Sequence, residues 1–325
     1  MIAYLIRRLL YAFPILFGVN ILTFALFFLV NPPDDMARMQ LGYKHVTQEA
    51  VEKWKRAHGY HLPLFFNPKE QGIARLTQTI FFQKSLRLFL FDFGHSDSGR
   101  DIGADIRQRM GPSLAIAVPT LLLGVLVNTT TALLLVLFRN SWLEWSGVAL
   151  SVVMMSISTL FYIIAGQFLF AKVMRLVPIS GYGEGLSAMK FVILPVVVGV
   201  VSGIGSGVRW YRTLFLEEVE KEYVRTARAK GLTEMEVLFR HVLPNGLIPI
   251  LTGLVAILPL LFMGSLLLES FFGIPGLGNY VIEGIQRQDF AIVRSMVFLG
   301  AVLYIVGLIL TDLSYTLVDP RVRLE

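Results

Sequence analysis

The side chains able to do chemistry are few in this sequence, and they are scattered. Five histidines stand at 45, 58, 61, 95 and 241, and there is no cysteine. A structural zinc site takes four converging Cys or His ligands, and His58 with His61 supply only two. Four of the five histidines are most simply surface residues. The lack of cysteine rules out a disulfide framework and thiolate metal sites, and it says nothing of compartment. No G-x-x-x-x-G-K-[ST] segment occurs, so the chain has no phosphate-cradling loop of that kind. The polar residues most nearly within long apolar runs are Asn20, Asn128, Ser265 and Glu269. An ionisable group there is a functional candidate. A membrane-embedded enzyme would need paired carboxylates, a serine with a base, or clustered histidines within the runs, and none is found. No catalytic, metal or cofactor-binding residue is assigned.

One polar segment has a definite local chemistry: EEVEKEYVRTARAKGLTEMEVLFRHVLPN, from Glu217 to Asn245. It predicts two short helices, Glu218–Lys230 and Thr233–Leu243. Gly231 stands between them as a left-handed cap, the conformation glycine adopts at least cost. Thr233 with Glu236 three residues on reads as a capping box. Met235, Leu238 and Val242 then share one helical face, so the second helix has something to bury. By physics alone an ordinary helical hairpin accounts for the pattern as well.

The elements that position these residues follow from composition. Hydrophobic residues make up 55% of the 325 positions and charged residues 16%, against about 25% charged in soluble domains. The surface is therefore too apolar for water alone. A net charge of +6 could point to nucleic acid, but the basic residues flank apolar runs, which favours a membrane. About 20 apolar residues cross the hydrocarbon. Leu9–Val30, Leu114–Phe138, Val148–Ala171, Phe191–Val208, Leu247–Leu268 and Ile292–Leu317 meet that need, giving six expected spans. The first exceeds a signal-peptide core and lacks a small-residue cleavage site, so it reads as a retained span.

Basic residues set the expected orientation. With the N-terminus inside, Arg7, Arg8, Arg139, Arg209, Arg212, Lys221, Arg225, Arg228, Lys230, Arg240, Arg321 and Arg323 fall on the inner side. That is an N-in, C-in arrangement under the positive-inside rule. The expected organisation is an N-terminal tail with the first span (1–30), a large outer segment (31–113) and a five-helix core (114–325). The inner loop lies at about 214–245 of that core. In the outer segment, Thr47 and Glu49 open a helix that Gly59 closes. Leu76–Phe93, aromatic but broken by Lys84 and Arg87, predicts a helix lying at the outer membrane surface. Gly199, Gly203 and Gly207, four apart in the fourth span, predict close approach of two helices.

The inner loop resembles a known motif. Arg225-Thr226-Ala227, then Gly231, then His241-Val242-Leu243-Pro244 matches the spacing of the EAA loop of ABC importer permeases, with Arg225, Thr226 and His241 departing from its usual Glu, Ala and Ile. Other segments resemble the dipeptide and oligopeptide branch, B-type subunit, in the same order along nearly the whole chain. They are the first span; FDFGHS (Phe91–Ser96), similar to G-D-F-G-x-S with Phe91 in place of Gly; and VPISGYG (Val177–Gly183). ESFFGIPGLGNYVIEGIQRQDFAIV (Glu269–Val293) and the ending DLSYTLVDPRVRL complete the set.

The resemblance implies an all-α integral membrane protein of type I ABC importer architecture and a non-catalytic permease. Its loop residues Arg225, Thr226, Ala227, Gly231, Thr233, Glu236, His241, Leu243 and Pro244 would dock on an ATPase. The implied partners are a second homologous permease, two cytoplasmic ATPase subunits that bind ATP and magnesium, and a periplasmic binding protein, within the bacterial inner membrane. No nucleic acid is expected. Glu269, Pro275, Gly276 and Gly278 are expected at a periplasmic gate, with Glu269 at an interface that water reaches. Peptides are the implied substrate, with nickel, glutathione or a peptide antibiotic as alternatives in the same architecture. A secondary transporter is a remoter reading, and it would need intramembrane carboxylates and internal repeats.

Overall fold

Strong caps and long apolar runs account for most of the helices. The structure, a computed structural model, describes residues 2–42, 46–183 and 185–318. His45 and the ending with Arg321 and Arg323 lie outside the described residues. In chain order the α-helices are α1 (Ile2–Phe28), α2 (Pro33–Leu41), α3 (Gln48–His58), α4 (Ala74–Thr77), α5 (Ile102–Leu137), α6 (Trp142–Ser156) and α7 (Thr159–Gly166). Then come α8 (Ala188–Val219), α9 (Glu222–Ala229), α10 (Glu234–Val237), α11 (Leu243–Ile257), α12 (Leu266–Phe272), α13 (Leu277–Gln286) and α14 (Phe290–Val318). Among the described residues there is no strand, only one isolated bridge between His95 and Asp101.

Among the described residues, five helical stretches are long and apolar enough to cross a membrane: Ile6–Phe28, Ile102–Leu137, Ala188–Val219, Glu234–Phe272 and Phe290–Ser314. The third expected span is not straight. Trp142–Ser156 and Thr159–Val173 meet at 90°, and the pair makes a sixth span if counted as one. The break has a local cause: Ile157 is extended, and the Ser158 hydroxyl accepts from the Leu160 N–H, capping a new helix.

The described residues divide into two compact units, one within 2–109 with 280–309 and the other within 110–279 with 310–318. In the first, Phe24 and Phe28 of α1 pack with Met36, Tyr60 and Ile80 in a buried cluster. Here α3 runs as expected, with the Thr47 side chain accepting from the Ala50 N–H and Gly59 left-handed at its end. The expected continuous helix over 76–93 is instead three short pieces: α4, a π-turn at Phe81–Ser85 and a 3₁₀ turn at Leu86–Leu90. Ile80, Ser85 and Leu88 turn inward, and burying them takes changes of pitch that one regular helix cannot supply.

In the second unit α8 is the central element, packed against α6, α7, α11 and α12. Two buried clusters flank it. One joins Phe215 and Val219 of α8 to Val224, Val237, Leu238 and Val242. The other joins Leu194 and Val198 to Ile163, Leu268, Phe272 and Ile274.

Candidate coupling hairpin and buried carboxylate

The polar segment after α8 is built by caps. α8 continues past Arg209 to Val219, taking in the Glu218 expected to open the next helix, and α9 begins at Glu222 after a short break. Val224 and Ala227 of α9 are buried. Tyr223 donates to Glu218 at 2.5 Å, and Lys221 pairs with the same carboxylate. Burial and that hydrogen bond raise the Tyr223 phenol above its ordinary range. Gly231 follows with φ +84°, the left-handed turn its position demands.

Beyond the turn, the Thr233 N–H donates to Glu236 at 2.8 Å, and the Glu236 N–H donates back to the Thr233 hydroxyl at 3.3 Å, a complete capping box. Across the turn, Arg228 donates through Nε and Nη2 to the two oxygens of Glu234 at 2.8 and 3.1 Å. A planar fork of this kind fixes direction as well as distance.

One face differs from the sequence pattern. Leu238 and Val242 are buried, but Met235 is 53% exposed, with Phe239 beside it at 55%. The reason is a π-turn over Leu238–Val242. It sets Val237 and Val242, five residues apart, on one inward face and leaves Met235 and Phe239 outward. The second helix does not stop at Leu243; it runs on into α11. Arg225 and Thr226 are exposed, Ala227 is buried, and His241 accepts through its carbonyl from Asn245 at 2.7 Å. Leu243 is half-buried and Pro244 exposed.

The loop after α11 holds the second constellation. Glu269 is 0% exposed, and so does not meet water as expected. Its carboxylate accepts from the Ser265 N–H at 3.2 Å and the Asn279 N–H at 3.0 Å. The Gly278 N–H and the Ser113 hydroxyl also hydrogen-bond it. The Ser113 oxygen in turn accepts from the Leu277 N–H at 2.8 Å. A buried charge needs such a full set of donors.

The glycines make room for this cage. A Cβ on Gly264 would stand 2.7 Å from the Ser113 oxygen, one on Gly276 would stand 2.6 Å from it, and both would strike Glu269. A Cβ on Gly278 would reach the Ser265 backbone at 2.7 Å. Glu269, Gly276 and Gly278 therefore converge, while Pro275 is exposed. Ser113 and Gly264 belong to the same site, and the sequence reading missed both. The neighbouring loop is tied in as well: the Gly181 N–H donates to the Phe272 carbonyl at 2.8 Å, and Gln167 donates to the carbonyls of Ile179 and Phe271.

The glycine series of α8 is only partly a contact face. A Cβ on Gly199 would lie 2.9 Å from Thr120, and one on Gly207 would strike Asn128. At Gly203 it would meet nothing within 4 Å. The tightest backbone approach is at Gly205, outside the four-residue series, where a Cβ would stand 2.5 Å from the Ser151 carbonyl. Among the described residues no three His, Asp or Glu side chains group as a metal site.

Known proteins match along almost the whole chain. Residues 128–324 match the family described as binding-protein-dependent transport system inner membrane component, and residues 1–82 match the N-terminal part of such membrane components. The dipeptide transport system permease protein DppB of Bacillus subtilis (strain 168) is 30% identical over 285 residues, 86% of each chain. A Brucella abortus (strain 2308) protein provisionally named a peptide transport system permease is 29% identical over 331 residues, the full length of both. DppB of Alkalihalophilus pseudofirmus is 24% identical over 353 residues, 99% of this chain and 100% of that one. With its membrane-length apolar helices, the chain belongs to the binding-protein-dependent transport system inner membrane component family, as a multi-pass permease of the inner membrane.

Proposed function

We propose that this chain is one of two membrane-spanning halves of an ATP-driven peptide importer, with N- and C-termini on the cytoplasmic side. Hydrolysis is supplied by separate ATPase subunits, which bind ATP and magnesium. A periplasmic binding protein delivers the substrate, and a second, related permease completes the pathway. The relatives' names support peptide as the cargo. The observation that carries the coupling role is the hairpin α9–α10. Its angle is held by the left-handed Gly231, the capping box and the Arg228–Glu234 fork, and it presents Met235 and Phe239 to the outside. A fixed bend with an exposed apolar pair suits a docking element, because partner binding is weakened by every conformation that must be frozen first.

The test is Gly231→Val in the chain coexpressed with its ATPase and permease partners and reconstituted with the binding protein. A β-branched residue opposes the left-handed turn by about 1–2 kcal/mol. We expect normal membrane insertion, with reduced copurification of the ATPase or hydrolysis uncoupled from dipeptide uptake. Thr233→Ala, which removes a cap worth about 0.5–2 kcal/mol, should give a milder form of the same defect. Coupled uptake at the wild-type rate by Gly231→Val would remove the mechanical role assigned to this hairpin.

A further inference from the structure

In the first unit, a chamber of about 610 Å³ opens between the end of α3, the helical turns over 81–90, the loop 91–99 and the first turn of α14. Ligand pockets fall at about 300–1,000 Å³. Four of its lining side chains are cations, Arg56, Lys84, Arg87 and Arg294, and two are carboxylates, Asp92 and Asp97. Arg87 and Asp92 answer each other at 3.6 Å, both exposed.

Three further charged side chains face one another but form no close ion pair. Arg294 is 4% exposed, and its Nε is buried without a hydrogen bond. The Lys84 ammonium lies 5.3 Å from the Tyr60 ring centroid, and among the described residues it makes no hydrogen bond. The Asp97 carboxylate makes none either, although the backbone N–H of Asp97 donates to Asp289 at 2.8 Å. The other Asp289 oxygen accepts from the Ile292 N–H at the start of α14, so this carboxylate is held by backbone while its charge is felt by Arg294 and Asp97. Burial first, and then the charge of Asp289, raises Asp97 to about 6, so it remains ionised at neutral pH. Burial, with Arg294 next in effect, lowers Lys84.

Lys84 and Asp97 are half-buried and Arg294 is buried, and hydrogen-bonding capacity left unused in such a place is costly unless something supplies it. Two cations and one carboxylate within electrostatic reach of one another complement a molecule with one anionic and one cationic end. We propose that this chamber binds a small zwitterion, an amino acid or short peptide, with its carboxylate on Arg294 and Lys84 and its ammonium on Asp97. The site is made by this chain alone, and it stands or falls independently of the ATPase docking described above.

The experiment is calorimetric titration of the purified full chain, in phosphatidylcholine nanodiscs, with dialanine. We expect one saturable site. Capping the carboxylate as an amide, or the amine as an acetyl group, should weaken binding at least about tenfold. Lys84→Gln should cost about the same, and Asp97→Asn should weaken dialanine while leaving N-acetyl-dialanine unchanged. Thermal unfolding establishes that each variant is folded. If either variant is not, the two capped analogues decide the matter on the wild-type chain. No saturable heat up to about 10 mM dialanine, or equal affinity for dialanine and both capped forms, would overturn the proposal.

Discussion

Phe91 adopts φ 56° and ψ 23°, the left-handed region, with its ring 57% exposed and edge-on to Phe93. The G-D-F-G-x-S element it resembles has glycine there, so the departure visible in the sequence marks a strained residue. A side chain in this region costs about 1–2 kcal/mol, part of which glycine returns through its freer unfolded chain. Phe91→Gly should therefore stabilise the first unit by about 0.5–1 kcal/mol, read as a higher unfolding midpoint in detergent. A lower midpoint would mean that the ring's contacts outweigh the strain. Glu269 shows the opposite limit of sequence reading. The acid and its glycines stand close together in the chain and could be grouped by eye. Ser113, which completes the cage, sits far off at the start of an apolar run, and nothing in its own surroundings marks it. Without that partner the acid looked as if it needed water.

At the level of elements, caps outside the apolar runs were legible. Thr47 and Gly59 bound α3, and Thr233, Glu236 and Gly231 shape the hairpin, because each acts within four residues. The π-turns were not legible: they follow no fixed periodicity and answer to packing from elsewhere in the chain. The 90° break between α6 and α7 has a local signal, the Ser158 cap, but it lies in an unbroken apolar run that reads first as a span. The glycine series pointed to the right helix and partly to the wrong residue. A Cβ on Gly205 would meet α6 backbone, at the Ser151 carbonyl and 2.6 Å from the Met155 nitrogen. Backbone cannot rotate aside as a side chain can. Gly205→Leu should lower stability by about 1–3 kcal/mol or prevent folding, as overpacking does. Gly203→Leu, facing open space within the chain, should stay within about 0.5 kcal/mol. Matching losses at both positions in thermal unfolding would show that the α6–α8 approach does not depend on Gly205.

For the whole molecule, the apolar runs were enough to anticipate a helical membrane protein, because hydrocarbon thickness alone sets their length. The division into two units was not visible, since it joins residues within 2–109 to 280–309 through contacts distant in sequence. Orientation is open to a direct test, helped by the absence of native cysteine. A cysteine at Lys53 or Asp101 should react with an impermeant maleimide added to spheroplasts, and one at Glu234 only after permeabilisation. Labelling of Glu234→Cys in sealed spheroplasts would reverse the proposed arrangement. The caged carboxylate also bears on biosynthesis. An acid entering the bilayer carries an insertion cost of about 2.5–3.5 kcal/mol at a helix centre. Three of the groups that solvate Glu269 are N–H groups of Ser265, Gly278 and Asn279, all within ten residues of it. The fourth, Ser113, precedes it in the chain and has left the ribosome by the time residue 269 appears. The acid can thus be enclosed as soon as α13 has followed it into the membrane, with no helix beyond α13 needed.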